Sequence, residues 1–359
     1  MSRRMRVLAC SAAFALTASG AAAQEKMARP SFVVMPIPVS DPAVGNGLAI
    51  AALALYQPTG SARPWGTAAG GLYTQNKSWA AFVGQKAYLG GDKFRVTAGG
   101  GVGDFHVDFY GIGPGAGSRG RSIPIEQKAG GGLAEALIRV APHIYAGLEY
   151  RLIDMRTSID LTQLPFPDLA IPEVELRSRT SALGLAAEYD TRDNEYGPRK
   201  GIYATGTWLR ASKDLGGDFD YSRLETAVNG YHGMGDQAVL AWRVSTCSAG
   251  DHAPFYDICN FGSQNDLRGY VTGQYRDRAM YAAQAEYRRH LFWRIGGTAF
   301  VGVGEVAPKF SKMSTDGMLP AAGLGLRFKA SEKYGVNARI DYAWGKDSSA
   351  AYFSIGEAF

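Results

Sequence analysis

Along residues 335–346 the chain alternates at every second position. Val336, Ala338, Ile340, Tyr342 and Trp344 stand on one face, and Asn337, Arg339 and Asp341 on the other. A period of two marks an extended strand with one apolar and one polar face. One such strand fits a water-soluble sandwich as well as a membrane barrel; repetition of the pattern separates them. Leu240, Trp242 and Val244 oppose Arg243 and Ser245. Tyr281, Ala283, Ala285 and Tyr287 oppose Gln284, Glu286 and Arg288, and Leu324, Leu326 and Phe328 oppose Gly325, Arg327 and Lys329. Arginine, glutamate and lysine on the inner face would be costly in a packed soluble core and are ordinary in a hydrated lumen. The pattern predicts an all-β protein, a transmembrane antiparallel β-barrel. Its strands are expected near 46–56, 65–75, 78–89, 93–101, 104–112, 130–140, 142–153, 176–189, 200–211, 219–232, 236–248, 278–290, 293–303, 318–330, 335–346 and 350–359. That makes sixteen, an even number as single-chain bacterial barrels have.

The connections alternate in length. With both termini in the periplasm, the long segments 113–129, 154–175, 249–277 and 304–317 fall outside the cell, and most others are short periplasmic turns. The charged turn from Asp190 to Lys200 is the exception on that side. Residues 161–170, with Leu161, Leu164, Phe166 and Leu169, carry the spacing of a short helical turn.

The ends set the compartment. Arg3, Arg4 and Arg6 precede an apolar run from Val7 to Ala18 and the small residues Ala21, Ala22 and Ala23, which is the layout of a signal peptide spanning 1–23. Its loss lowers the formal charge from +5 to +2, so the basic balance says little about partners. The remaining Lys and Arg are scattered, and no nucleic-acid-type basic patch is visible. No later run reaches the ~18 to 20 apolar residues of a transmembrane helix. With 46 Gly, 19 Tyr and only 20% charged residues, the composition suits strands with interfacial aromatics and a small-residue lumen. Residues 24–45 are Pro-rich and too few to bury a core, so they are expected to form a short periplasmic segment ahead of a single barrel domain at 46–359.

Cys247 and Cys259 form an even pair in a chain routed through an oxidising compartment, which favours a local disulfide; two unpaired thiols are the alternative. The sequence has no Gly-x-Ser-x-Gly, His-Glu-x-x-His or Cys-x-x-Cys motif. It therefore assigns no catalytic residue, metal or cofactor.

The longest outer connection contains Asn265-Asp266-Leu267-Arg268-Gly269-Tyr270. Gly269 allows a tight turn, Arg268 offers a planar five-donor fork, and Tyr270 supplies a packing plate. This run resembles the Arg-Gly-aromatic tip of the inward-folded sixth loop of the BamA/TamA superfamily of outer-membrane barrels, the bacterial surface antigen family. In that family the loop lies between strands eleven and twelve, where the strand count places it here. Three further stretches match: the turn with Asp190, Arg192, Asp193, Asn194 and Gly201; the strand Tyr281 to Arg288 with Glu286; and the end, where Phe353, Ile355 and Phe359 look like the terminal aromatic signal for barrel assembly. The turn motif serves equally well as structural punctuation, its Asp and Asn satisfying backbone donors.

The resemblance implies that Arg268 enters the lumen and pairs with acidic groups on the wall. Glu286, inward by alternation, is the first choice. The chain departs from the family at Gly302, where an Asp usually stands, which leaves Glu305 as a substitute acceptor. The resemblance further implies a bacterial outer-membrane location in contact with lipid, insertion of the chain by the outer-membrane assembly machinery, and a short form without periplasmic repeats. Its function would lie in insertion or transport of proteins, with unfolded protein clients or a periplasmic partner supplying the receiving module. A seam between the first and last strands, weakened by Gly45 and Gly47, would open sideways. Two other readings stand beside this one: a passive diffusion pore, and a surface barrel whose exposed loops bind partners.

Overall fold

The computed structural model describes residues 30–41, 44–119, 122–159, 177–262 and 265–359. The expected signal peptide at 1–23 and the expected helical turn at 161–170 lie outside them. Sixteen antiparallel strands follow one another in chain order and roll into a nearly closed barrel. They are β1 (Ser31–Asp41), β2 (Gly45–Tyr56), β3 (Trp65–Thr74), β4 (Trp79–Leu89), β5 (Phe94–Phe109), β6 (Ile123–Ala141), β7 (Ile144–Ile159), β8 (Arg177–Asp190), β9 (Gly201–Ala211), β10 (Tyr221–Met234) and β11 (Ala238–Ala249), followed by β14 (Ala279–Phe292), β15 (Ile295–Ala307), β16 (Leu319–Ser331), β17 (Val336–Trp344) and β18 (Ser349–Ile355). Between β11 and β14, the two-residue strands β12 (Cys259–Asn260) and β13 (Arg276–Asp277) pair with each other inside the connection. No helix among the described residues is long and apolar enough to cross a membrane, so crossing falls to the strands.

Alternation settles which way each side chain points. Val301, Leu324, Leu326 and Ile340 are exposed on the outer surface, while Glu286, Arg327 and Asp341, one position out of phase, are buried inside. The two faces follow the sequence pattern across β11, β14, β16 and β17, except that Val336, at the start of β17, is buried with Leu55 and Tyr334.

Two expected boundaries are corrected. Residues 31–41 do not form a segment ahead of the barrel: they are its first strand, paired with β2 from Ser31↔Leu55 to Asp41↔Gly45. Pro36 and Pro38 disguise the strand, since proline cannot donate to a ladder and is confined to edges. Spaced by two, they lose their N–H groups on the same edge. Because pairing with β2 is continuous, that edge is the one facing β18. No ladder joins β1 to β18 among the described residues, although the two lie side by side.

The second correction joins 93–101 and 104–112 into the single strand β5, which pairs with β4 and β6 without a break. The glycine run there is not a turn. A Cβ on Gly99 would lie 2.9 Å from the Val83 carbonyl oxygen, and one on Gly131 2.3 Å from that of Leu152, so these glycines permit close backbone approach inside a continuous sheet. The added strand and the fused one cancel in the count. The strands between them reverse direction, which brings the 57–64 connection to the same end of the barrel as 191–200, where Arg63 reaches Asp190 at 2.8 Å.

Candidate functional site

The connection between β11 and β14 folds back into the barrel. Cys247 at the top of β11 is disulfide-bonded to Cys259, tying the start of the loop to the wall. Phe261, Tyr270 and Tyr275 form a three-ring cluster with centroids 5.5 to 5.8 Å apart, giving the loop its own small core. Leu267, Arg268 and Tyr270 are buried at its apex.

Arg268 is fully buried. Nη2 donates to Glu286 Oε2 at 2.5 Å, Nη1 to Asp341 Oδ2 at 2.6 Å and Nε to Gln284 Oε1 at 3.3 Å. Its guanidinium carbon lies 3.5 Å from the centre of the Phe300 ring. Planar donors, two carboxylates and an aromatic face suit arginine and not lysine. Gly269 follows with φ 115°; a Cβ there would come 2.9 Å from the Trp344 carbonyl carbon. Its N–H donates to the Tyr352 hydroxyl at 2.8 Å, and its carbonyl accepts from Ser348 Oγ at 2.6 Å. Tyr270 donates through its hydroxyl to the Pro320 carbonyl at 2.6 Å and accepts from the Lys346 N–H at 3.0 Å. The three apex residues thus grip β14, β16, β17, β18 and the 345–348 turn together.

No motif marks Asp341; its signal in the sequence is its inward place in the 335–346 alternation. Glu305 is not the substitute acceptor. Its Oε1 accepts from the Ser314 N–H at 2.9 Å and so holds the connection between β15 and β16. Gly302 has a different use. A Cβ at this position would meet Gln284 Cγ at 2.7 Å and Leu267 Cδ1 at 2.8 Å, so the glycine makes room for the loop apex.

The ion pairs extend toward the end of the barrel where the chain finishes. Glu286 also meets Arg288 at 2.6 Å and Arg327 at 3.4 Å; Asp341 meets Arg327 at 2.5 Å and Arg339 at 3.1 Å; Glu357 meets Arg327 at 2.8 Å and Arg288 at 3.5 Å. Desolvation makes such a cluster a poor source of net stability, but removing one member strands a buried charge.

The Asp190 to Gly201 turn lies apart from this cluster. Asp190 is buried and pairs with Arg63, Arg95 and Arg192 at 2.8, 3.2 and 2.9 Å, and Arg192 stacks 3.6 Å above the Tyr203 ring. Asp193 accepts from the N–H groups of Arg199 and Lys200, and Asn194 from those of Tyr196 and Gly197. Gly201 has φ 105°, and a Cβ there would sit 2.3 Å from the Thr191 carbonyl oxygen. Burial raises the Glu195 carboxyl, but the Lys86 ammonium and the Tyr88 hydroxyl outweigh it and hold the group below its ordinary range. The arrangement closes a turn and braces it on β4, β5 and β8.

Phe353 and Ile355 stand in β18, but Phe359 does not continue their row. The strand stops at Ile355, Gly356 takes φ 96°, and Glu357 to Phe359 turn into the lumen, where Phe359 packs against the cluster of Tyr231, Val239 and Ala241. The strand expected over 350–359 stops short because Gly356 breaks the extended backbone. On the outer face of β5 and β6, Asp104, His106 and Glu126 bring ligand-type atoms within 4.8 Å of one another. Lys128 Nζ lies 3.5 Å from Asp104 and 2.5 Å from Glu126 and already supplies the positive charge.

Residues 147–359 match the model of the Omp85 superfamily domain. In fold, the chain is similar to BamA from Haemophilus ducreyi lacking POTRA domains 1–3 (TM-score 0.54, 15% identity, 91% of this chain and 68% of that one). It is similar also to CdiB from Acinetobacter baumannii (0.56, 11%, 92% and 60%) and to CdiB from Escherichia coli (0.60, 11%, 91% and 62%). The chain thus spans about three fifths of the two CdiB chains. No curated protein matches it in sequence.

Proposed function

The chain belongs to the Omp85 superfamily of outer-membrane barrels, and from that premise we propose that it inserts protein segments into the outer membrane or moves them across it. The loop apex at Arg268 acts as a plug anchored on one wall, and the seam between β1 and β18 is where the wall opens. The seam carries this reading. Every other neighbouring pair of barrel strands is laddered, whereas here Pro36 and Pro38 remove donors from the edge that faces β18. A diffusion pore gains nothing from an unpaired edge; a barrel that templates or admits another strand requires one.

The test is reconstitution into liposomes, measuring how fast an unfolded outer-membrane protein inserts. Acceleration over empty liposomes, lost in Arg268→Ala and on cross-linking cysteines placed across β1 and β18, supports the reading. Undiminished acceleration in the cross-linked barrel overturns the seam, and no acceleration overturns the function.

One observation favours a second reading. A cavity of about 760 Å³ lies along β3–β7, bordered by Phe82, Gly84, Gly99, Gly131, Lys86 and Arg151. A steady large conductance indifferent to Arg268→Ala would make the protein a diffusion pore through that space.

A further inference from the structure

The residues after β18 occupy a pocket whose chemistry is more specific than a resting place requires. Glu357 accepts from Arg327 Nε at 2.8 Å and from Asn337 Nδ2 at 2.6 Å, and lies 3.5 Å from Arg288. Two residues on, the Phe359 ring lies 5.4 Å from the Arg288 guanidinium and packs against the cluster of Tyr231, Val239 and Ala241, while Arg288 Nη2 donates to the Phe359 backbone oxygen at 3.0 Å. Arg288, its side chain only 9% exposed, therefore reads the carboxylate, the backbone and the ring of one short segment. Its Nη1 and the Tyr231 hydroxyl are buried without a hydrogen-bond partner, which leaves two polar groups in the pocket that the tail does not satisfy.

The pocket is reached through a cavity of about 160 Å³ at the end of the barrel where the chain finishes. Arg199, Arg289, His290, Arg294 and Lys329 line it, and Glu357 is the sole carboxylate in its lining among the described residues. The tail lies beyond the sheet's ladder: β18 ends at Ile355, and a Cβ on Gly356 would meet nothing within 4 Å. Were Glu357 to leave, Arg268, Arg288, Arg327 and Arg339 would face only Glu286 and Asp341 in the buried cluster, and a replacement carboxylate would be drawn in.

We infer that this pocket is a binding site for a peptide carrying a carboxylate two residues before an aromatic side chain, and that Glu357 and Phe359 fill it in cis. A basic mouth attracts the acidic segment, Arg288 and Arg327 take the carboxylate, and the cluster of Tyr231, Val239 and Ala241 takes the ring. The inference deepens the translocation reading by naming what this mouth recognises, and rests on it only for the peptide being part of a client. Binding is measured without any insertion assay, so the two fail separately.

The probe is a fluorescein-labelled peptide of the tail itself, Ser-Ile-Gly-Glu-Ala-Phe, titrated by anisotropy against the full chain in detergent micelles. The double variant Glu357→Gln/Phe359→Ala empties the pocket and is expected to bind the peptide at least about tenfold more tightly than the unaltered chain. Peptides with Gln for Glu or Ala for Phe are expected to lose about tenfold or more each. Equal binding of all three peptides, or none to a double variant whose gel migration remains heat-modifiable as a folded barrel, overturns the site. Should the double variant not fold, Phe359→Ala alone retains the Glu357 ion pairs and is held to the same two outcomes.

Discussion

The two sides of this barrel obey one rule of alternation and reach opposite ends. Along β3–β6 the inner face carries Gly84, Gly99, Gly101 and Gly131 around an open cavity, with Phe82 lying where a Cβ on Gly70 would be, 2.7 Å from its ring. Along β14–β18 the inner face carries Glu286, Arg288, Arg327, Arg339 and Asp341, and the loop apex fills the space between them. The small residues suit a lumen that water reaches, whereas the buried charges are tolerated because they pair with one another. What differs is who meets the wall. Glycines leave room, while charges spaced two apart await a partner, and Arg268 is that partner. The Omp85 match begins at Gly147, so it covers the occupied side and leaves β1–β6 outside.

The contrast is broken most severely at the apex. Arg268→Ala takes from buried Glu286 and Asp341 one of the two guanidiniums that bridge them, Arg327 being the other, and about 3 kcal/mol of stability should be lost. Denaturant unfolding in micelles reads the loss, and single-channel conductance should rise as the plug detaches. A folded variant with unchanged conductance would mean the apex holds nothing back. Cys259→Ser frees the base of the loop while leaving the apex in place. It should cost about 2–4 kcal/mol, with a smaller rise in conductance than Arg268→Ala.

The open side is tested in reverse. Gly70→Val pushes Phe82 aside and is expected to destabilise by about 1–3 kcal/mol, to lower conductance and to leave the insertion rate unchanged; a halved insertion rate would tie the cavity to protein transport. The seam is sharpened by Pro36→Thr together with Pro38→Thr. Two restored donors facing β18 should add about 1 kcal/mol each if they pair, protect those amides from hydrogen exchange and slow insertion. Smallest is Glu305→Gln, which should cost about 1 kcal/mol or less through the Ser314 hydrogen bond and leave conductance at its original value, since Glu305 does not touch Arg268.

Much of the wall was legible. The strands with clean alternation, β11, β14, β16 and β17, emerged with their inward faces correct because a period of two is a local property of the chain. The strand with prolines at 36 and 38 was not legible: proline argues against a strand until one knows that its missing donors face an open seam. Nor was the unity of β5, since a glycine run reads as a turn unless neighbouring backbones are known to approach it closely. At the site, Arg268 and Glu286 could be named from motif and alternation. Asp341 carried only its alternation, and Glu305 was misplaced because sequence proximity to Gly302 says nothing about which loop it faces.

The sequence by itself determined that the chain makes a barrel with charged inner positions, and that one loop carries an arginine beside a glycine, because pleat and backbone freedom are settled within a few residues. Only the tertiary structure decided that Asp341 and Glu286, 55 residues apart in the chain, clasp the same guanidinium, that Gly302 clears space for Leu267, and that the tail turns inward at Gly356. Those choices depend on which strands closure of the sheet sets face to face across the lumen, a relation no local pattern contains.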